Sequence, residues 1–513
     1  MKIGVAILSG LMLTASFPPG KLDWVAWIAL VPLLWSLKNE VPSRAFMLGF
    51  IAGVAHYLTL IYWIVVVLEH YGGLPFAVSL FVLVVFCLYL ALFPALFSYL
   101  IRRIKGPCFP VFTVAGIWVC IEYLRAKLLT GFPWCLLGYS QYRQVDLIQI
   151  ADLAGVYGIS FLILVSNALI YVLLFDRSSI KKVFFMRDIP VIVVMAFFVL
   201  AYGHHRLSKS KTNGNTPIKV AIIHGNIDQS MKWNPAYQMK TINIYERLTR
   251  TTRPFKPNLV VWPETALPFF FQDHRILSPR VAEITMSLET DLIFGSPAYK
   301  KEKGGVRYYN RAYSLTSDGR VSGFYDKVHL VPFGEYVPLK RFLPFVHRLV
   351  PAAGDMASGK EITPLKLPGM SAGILICFEA IFPELSRKQT KKGAEILVNL
   401  TNDAWFGMTS APHQHLSMAI FRSIENRRPI IRAANTGVSA FIGPRGEIIS
   451  MGGQFREEVL MVELNRPDPS LTFYTSYGDL FILALVLLVI INVIIIKRVN
   501  SPSTSSGQVN GER

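Results

Sequence analysis

The chain has 513 residues, 52% of them hydrophobic, and a formal net charge of +19 at pH 7. It is longer than one ordinary domain and too apolar for a purely soluble protein, so part of it belongs in lipid. The basic residues are scattered beside apolar runs and accompany no nucleic-acid-binding module, so the charge is read as membrane orientation and no nucleic-acid partner is expected.

Apolar runs of about 17 to 25 residues, the length that crosses a bilayer, predict eight spans. They lie near Met1–Pro18, Leu22–Leu37, Arg44–Leu68, Phe76–Ile101, Cys108–Leu124, Gly155–Phe175, Asp188–Tyr202 and Gly478–Ile496. The first, second and seventh are short. Met1–Pro18 also fits a cleaved signal peptide, but another apolar run follows closely, so a retained helical hairpin is expected. Alternating the spans from an inside N-terminus gathers Lys38, Arg44, Arg102, Arg103, Lys105, Arg177, Lys181, Lys182, Arg187, Lys497 and Arg498 on one side. The positive-inside rule makes that side cytoplasmic, with both termini on it. The expected organisation is seven helices in 1–203, an outer domain in 204–477, an eighth helix in 478–498 and a tail in 499–513. That tail is too polar to bury a core and is expected to be disordered.

The loop Arg125–Asp152, with Gly131-Phe-Pro-Trp134 and Tyr139, also falls outside and either caps the bundle or shapes a substrate entrance. Intramembrane charges are few, chiefly Glu122, His56 and Glu69, which argues against a transporter. The outer domain alternates β-rich runs with helical stretches, the pattern of a layered α/β fold. Lys219–His224, Leu259–Trp262, Leu292–Phe294, Gly373–Cys377, Ile396–Asn399 and Val438–Ile442 read as strands. Several are continuously apolar, as strands covered on both faces should be. Arg311–Leu315 and the run after Gly319 read as a hairpin turning at Ser317-Asp-Gly319.

Three of the runs end in chemistry-bearing residues: Leu259-Val-Val-Trp-Pro-Glu264, Val321-Ser-Gly-Phe-Tyr-Asp-Lys327 and Gly373-Ile-Leu-Ile-Cys-Phe-Glu379. Acyl transfer needs a nucleophile, a base and a donor for the oxyanion. A free thiol is only a few per cent ionised near pH 7, so Glu264 as a general base would activate Cys377, and the Lys327 ammonium would stabilise the oxyanion. The five cysteines, Cys87, Cys108, Cys120, Cys135 and Cys377, show no disulfide or zinc spacing. His413-Gln-His415 would suit a metal if it lay on a strand, but no further ligand stands out and no metal or cofactor is expected.

Trp262-Pro-Glu264, Lys327-Val-His-Leu-Val-Pro-Phe-Gly-Glu335 and Cys377-Phe-Glu379, in that order, resemble the Glu-Lys-Cys triad of the nitrilase (carbon-nitrogen hydrolase) superfamily. Gly131-Phe-Pro-Trp134, Gly225-Asn-Ile-Asp-Gln-Ser-Met-Lys-Trp233, His329–Pro338 and Asn402-Asp-Ala-Trp405, together with the spans, resemble its membrane-bound branch over nearly the full length. The resemblance implies an integral membrane helical bundle carrying an extracytoplasmic α/β nitrilase-like αββα sandwich, in the bacterial inner membrane with the catalytic domain in the periplasm. It makes Glu264 the general base, Lys327 the oxyanion stabiliser and Cys377 the nucleophile, with Glu335 and Glu379 as supporting glutamates and Trp233 as a substrate-binding or gating residue. It implies a phospholipid acyl donor, typically phosphatidylethanolamine, a thioester intermediate, and a diacylglyceryl-modified apolipoprotein acceptor, handled by a monomer among membrane lipids. Rival readings are a membrane-tethered amidase, in which water resolves the thioester, and a receptor or transporter with a binding domain. Glu335 and Glu379 have the plainer reading of loop-holding ion pairs, and Trp233 that of a core residue. Phe269-Phe-Phe271 and Arg341–Val350 are candidates for an acyl pocket or the lipid interface.

Overall fold

The computed structural model describes residues 1–104, 110–175, 183–208, 217–303, 305–337 and 355–500. Cys108, Lys105, Arg177, Lys181, Lys182, the Arg341–Val350 stretch and the polar tail after residue 500 lie outside the described residues.

Twelve strands build the polar half: β1 (Ile218–His224), β2 (Leu259–Val261), β3 (Asp291–Glu302), β4 (Gly305–Leu315), β5 (Val321–Asp326), β6 (Leu365–Leu367), β7 (Met370–Ile376), β8 (Ile396–Thr401), β9 (Ile430–Ala434), β10 (Ala440–Ile442), β11 (Ile448–Met451) and β12 (Glu458–Leu464). They form two six-stranded sheets, in the orders β12-β1-β2-β3-β4-β5 and β11-β10-β9-β8-β7-β6. The central pairs β1–β2, β2–β3, β7–β8 and β8–β9 are parallel, and antiparallel strands flank them. The hairpin expected at Ser317-Asp-Gly319 joins β4 and β5, with Gly319 at φ +80°.

Period-two alternation assigns the faces. Val220 and Ile222 of β1 point between the sheets, where they meet Val261, Ile293, Ile374, Val398 and Ile431. Ala221 and Ile223 point the other way, into a layer closed by the helices Gln238–Arg250 and Leu277–Leu288. On the outer face of the second sheet, Leu375, Leu397 and Ile430 pack under the helix Ala411–Asn426. The same apolar cluster continues without a break into Leu13, Trp63, Trp134 and Phe161 of the N-terminal helices. The layers are therefore αββα, with the apolar bundle stacked behind one of the α layers.

Among the described residues four helices are long and apolar enough to cross a membrane: Pro42–Leu60, Phe76–Arg103, Ala151–Phe175 and Asp188–Ser208. Lys2–Ala15, Asp23–Ser36 and Leu480–Ile494 are shorter apolar helices. The second expected span is in fact a five-residue 3-10 turn, Asp23–Trp27, and a short helix, Val31–Ser36. Pro32 stands in the first turn of that short helix, where a missing N–H is tolerated. Pro42–Leu60 approaches Phe76–Arg103 closely because Gly49 and Gly53 lack side chains. A Cβ at Gly49 would stand 2.4 Å from the Pro94 carbonyl oxygen, the small-residue contact that packs helices in lipid.

The loop after the helix Pro110–Lys127 is tied down by that helix's own charges. Glu122 accepts the Leu137 N–H at 2.7 Å, and Arg125 donates to the Trp134 carbonyl at 3.0 Å. These two charges therefore hold a loop in place. The loop does more than cap the bundle, because the Trp134 indole N–H donates to Gln414 Oε1 at 2.8 Å on the helix that covers the second sheet. Trp63 donates to the same oxygen at 3.1 Å.

Candidate active site

Parallel strands end at one edge of each sheet, and the three expected residues all follow such ends or their neighbours. Glu264 lies three residues beyond β2, Lys327 follows β5 directly, and Cys377 follows β7 and opens a 3-10 turn, Cys377–Ile381. Glu264 and Lys327 follow strands of the first sheet and Cys377 one of the second; hydrogen bonding ties the first two together, and the Cys377 thiol feels the charge of both.

Lys327 is buried, and its ammonium donates to Glu335 Oε1 at 2.9 Å and stands 3.7 Å from Glu264 Oε1. The Asn310 amide bridges both carboxylates, donating to Glu264 at 2.7 Å and Glu335 at 3.0 Å. Glu335 also accepts the Val331 N–H at 2.8 Å, which anchors the loop after Lys327. Burial by itself would lower the Lys327 pKa, but the Glu335 and Glu264 carboxylates outweigh it and hold the amine protonated, above its ordinary value. Glu264 can approach because β3 has Gly295 beneath it. A Cβ there would sit 2.4 Å from the Thr265 nitrogen and 2.8 Å from the Glu264 Cα.

Cys377 keeps partial exposure and has φ +51°, the left-handed region that a non-glycine residue enters only when its surroundings hold it. Burial, then the Glu264 carboxylate, push its thiol up to about 12 against the opposing pull of Lys327. Two carboxylates face one ammonium here, so a thiolate would add a second excess negative charge. The Cys377 side chain therefore rests as the neutral thiol.

Glu379 is fully buried and, among the described residues, has no Lys or Arg within ion-pair distance. It accepts from Tyr325 Oη at 3.0 Å, Val328 N at 2.7 Å, His329 N at 3.0 Å and Ile376 N at 2.7 Å. One carboxylate thus fastens the segment after Lys327 to the strand end before Cys377. Burial pushes its carboxyl up to about 7 although backbone N–H groups pull it down. The loop-holding reading is right for Glu379 in purpose, but its partners are backbone groups and a tyrosine.

The two halves of the chain match different family models: the apolipoprotein N-acyltransferase N-terminal domain at residues 9–169 and carbon-nitrogen hydrolase at residues 219–471. An apolipoprotein N-acyltransferase of Geobacter metallireducens is 45% identical over 485 residues, covering 93% of this chain and 92% of that one. The chain belongs to the apolipoprotein N-acyltransferase family. Another family member, from Methylococcus capsulatus, is 34% identical over 483 residues, covering 93% of this chain and 92% of its own. Among solved structures, a carbon-nitrogen hydrolase from Helicobacter pylori G27 is 20% identical with a TM-score of 0.37, covering 48% of this chain and 89% of that one. As an apolipoprotein N-acyltransferase family protein, the chain is an acyltransferase with a nitrilase-superfamily domain.

In this family member Trp233 is no core residue, because half of it is exposed. It lines an open groove of about 450 Å³ with Gln238, Pro268, Phe269, Phe270 and His274. Of the Phe269–Phe271 run, Phe269 and Phe270 both line this groove, Phe269 buried and Phe270 partly exposed, while Phe271 is buried under the first sheet against Phe294 and Tyr313. His413 and His415 lie on the helix Ala411–Asn426 and not on a strand, so residues two apart do not share a face.

Sequence reasoning missed Asn310, whose signal was a lone amide ending the Tyr308-Tyr-Asn310 run of a strand. It also missed Lys232, buried directly before Trp233. The Lys232 ammonium donates to the Glu264 carbonyl at 3.3 Å, and burial lowers its pKa to about 8.

Proposed function

We propose that this acyltransferase moves a fatty acyl chain from a phospholipid, typically phosphatidylethanolamine, to the α-amino group of the N-terminal diacylglyceryl-cysteine of apolipoproteins. The carrier is a thioester on Cys377, and the reaction completes bacterial lipoprotein maturation. The observation that supports this most is the buried Lys327–Glu335–Asn310–Glu264 cluster, which bears on the Cys377 thiol in a domain stacked on an apolar bundle.

In the first half-reaction the sulfur attacks the donor's ester carbonyl while Glu264 takes the thiol proton. Lys327 steadies the oxyanion, a contribution of about 3 to 4 kcal/mol for one such donor. Collapse expels the lysophospholipid oxygen, which leaves with the proton from Glu264, and the acyl group remains as a thioester. In the second half-reaction the acceptor amine attacks that thioester and gives a proton to Glu264. The C–S bond breaks, the sulfur takes the proton back, and the amide departs. Two large amphiphiles thereby use one site in turn. Asn310 and Glu335 keep the base and the ammonium in register, and Trp233, next to the Lys232 that donates to the Glu264 carbonyl, supplies a wall for substrate.

The bundle supports an orientation. Lys2 and Arg102 gather on Glu40 and its carbonyl, with Arg44 3.4 Å from the same carboxylate and Lys38 two residues away. This basic end is opposite to Leu60, Trp63 and Trp134, which meet the catalytic layers. Under the positive-inside rule the basic end is cytoplasmic and the catalytic domain periplasmic, next to the leaflet that holds both substrates.

The deciding experiment incubates the purified protein with phospholipid alone and weighs it intact. A gain of one fatty acyl group, localised to Cys377, released by hydroxylamine and missing in Cys377→Ala, is the expected result. Adding a diacylglyceryl peptide should then discharge it as N-acylated peptide. Free fatty acid with no acylated peptide would replace this reading with a hydrolase.

A further inference from the structure

The motif Asn402-Asp-Ala-Trp405 and the residue His415 have no part in the scheme above, yet both stand directly behind the nucleophile. His415 Nε2 lies 3.1 Å from the carbonyl oxygen of Cys377. On the other side of the ring, Nδ1 stands 3.1 Å from an Arg432 guanidinium nitrogen and 3.2 Å from Asp403 Oδ1. A carbonyl oxygen only accepts, so Nε2 carries the proton. Burial, followed by the Arg432 charge, holds the imidazole below its ordinary pKa, which leaves Nδ1 free to accept from Arg432.

The clamp is fully built. Asp403 Oδ2 takes a second guanidinium N–H at 2.7 Å, its Oδ1 takes the Thr401 hydroxyl at 2.8 Å, and Arg432 also donates to Asn399. Asn399 in turn stands 3.5 Å from the same Cys377 carbonyl. Asp403 fits because residue 437 is glycine; a Cβ there would sit 2.4 Å from Asp403 Oδ2. His415, Asp403, Arg432 and Asn399 are all buried. The Trp134 ring from the bundle loop flanks the imidazole at 5.8 Å.

We infer that His415 is a positioning residue for acyl transfer: its Nε2–H, steered by Asp403 and Arg432, holds the Cys377 carbonyl and so keeps the left-handed backbone that aims the thiol at Glu264 and Lys327. A residue at φ +51° lies in a sparsely populated well, and the peptide that follows it turns unless something holds its oxygen. The inference rests on Cys377 being the nucleophile.

The test compares wild type, His415→Leu and His415→Gln in detergent. It measures the rate of thioester formation on Cys377 at several phospholipid concentrations by intact mass, alongside thermal unfolding. A nucleophile displaced by about 1 Å loses roughly 10²-fold in rate. The expected result for His415→Leu is that loss in kcat with an unchanged phospholipid KM. His415→Gln, whose Nε2–H reaches the same oxygen, should recover most of it. If His415→Leu acylates at the wild-type rate, or if kcat and KM change together and His415→Gln recovers nothing, the inference is wrong. Should His415→Leu not fold, Asp403→Asn is read by the same criteria, since it keeps shape and removes the steering charge. Absence of a thioester in wild type would instead remove the Cys377 reading itself.

Discussion

Replacing Glu264 by Gln should change how the enzyme responds to pH as well as how fast it works. With its pKa near 12, the Cys377 thiol at pH 7.5 is ionised in roughly one molecule in 30,000, so attack by a preformed thiolate is negligible beside attack assisted by Glu264. General-base assistance contributes about 10² to 10⁴-fold. Glu264 is also the largest charge holding the thiol up, so its removal lowers that pKa and returns part of the loss. The expected net effect of Glu264→Gln at pH 7.5 is a fall of roughly 10² to 10³-fold in thioester formation. The surviving rate should climb about tenfold per pH unit between pH 7 and 9, following the thiolate fraction. The wild type should be far flatter, because its base is already in place. Folding should persist, since a glutamine oxygen can still accept the Asn310 amide. Time courses of intact mass after adding phospholipid, from pH 6.5 to 9.5, read both quantities. A Glu264→Gln variant within threefold of wild type, or one with a flat profile, would refute the assignment of the base.

Gly295→Ala should push the Glu264 backbone aside and slow thioester formation by about tenfold or more while leaving the expressed protein folded; an unchanged rate would show that the base tolerates the shift. Glu379→Ala leaves the N–H groups of Val328, His329 and Ile376 without their acceptor, a loss of about 3 kcal/mol or more. Its thermal midpoint in detergent should fall by several degrees, and less in Glu379→Gln. Trp134→Phe removes one hydrogen bond to Gln414, worth about 1 kcal/mol. Thermal unfolding should register that modest loss, and no change would mean that Trp63 alone holds Gln414.

The strand ends that carry Glu264, Lys327 and Cys377 were legible because a polar residue closing an apolar run needs a reason to be there. What the runs did not reveal was the cross-chain pairing. Asn310 meets Glu264 at a separation of 46 residues, and Glu379 reaches back 51 residues to Val328. No local period encodes such contacts. β11 and β12 are partly exposed edge strands with apolar runs of only two and four residues, too short to stand out. Nothing in the His413-Gln-His415 run itself points to Cys377; the apolar spacing from Leu416 through Ile420 to Ile424 winds it onto a helix that brings His415 there. Phe269-Phe-Phe271 reads as one apolar run, but alternation buries Phe269 and Phe271 and leaves Phe270 partly exposed.

The single carbonyl oxygen of Gln414 receives indole protons from two separate stretches of the N-terminal half. Leu416, Phe421 and Leu397 share their apolar surroundings with Trp63 and Leu13. The hydrolase half thus has one wall that it does not own. Severed from its neighbours, it would present an oily flank to water and aggregate, so a freely soluble fragment requires repainting that flank with polar side chains before any kinetics on it are informative.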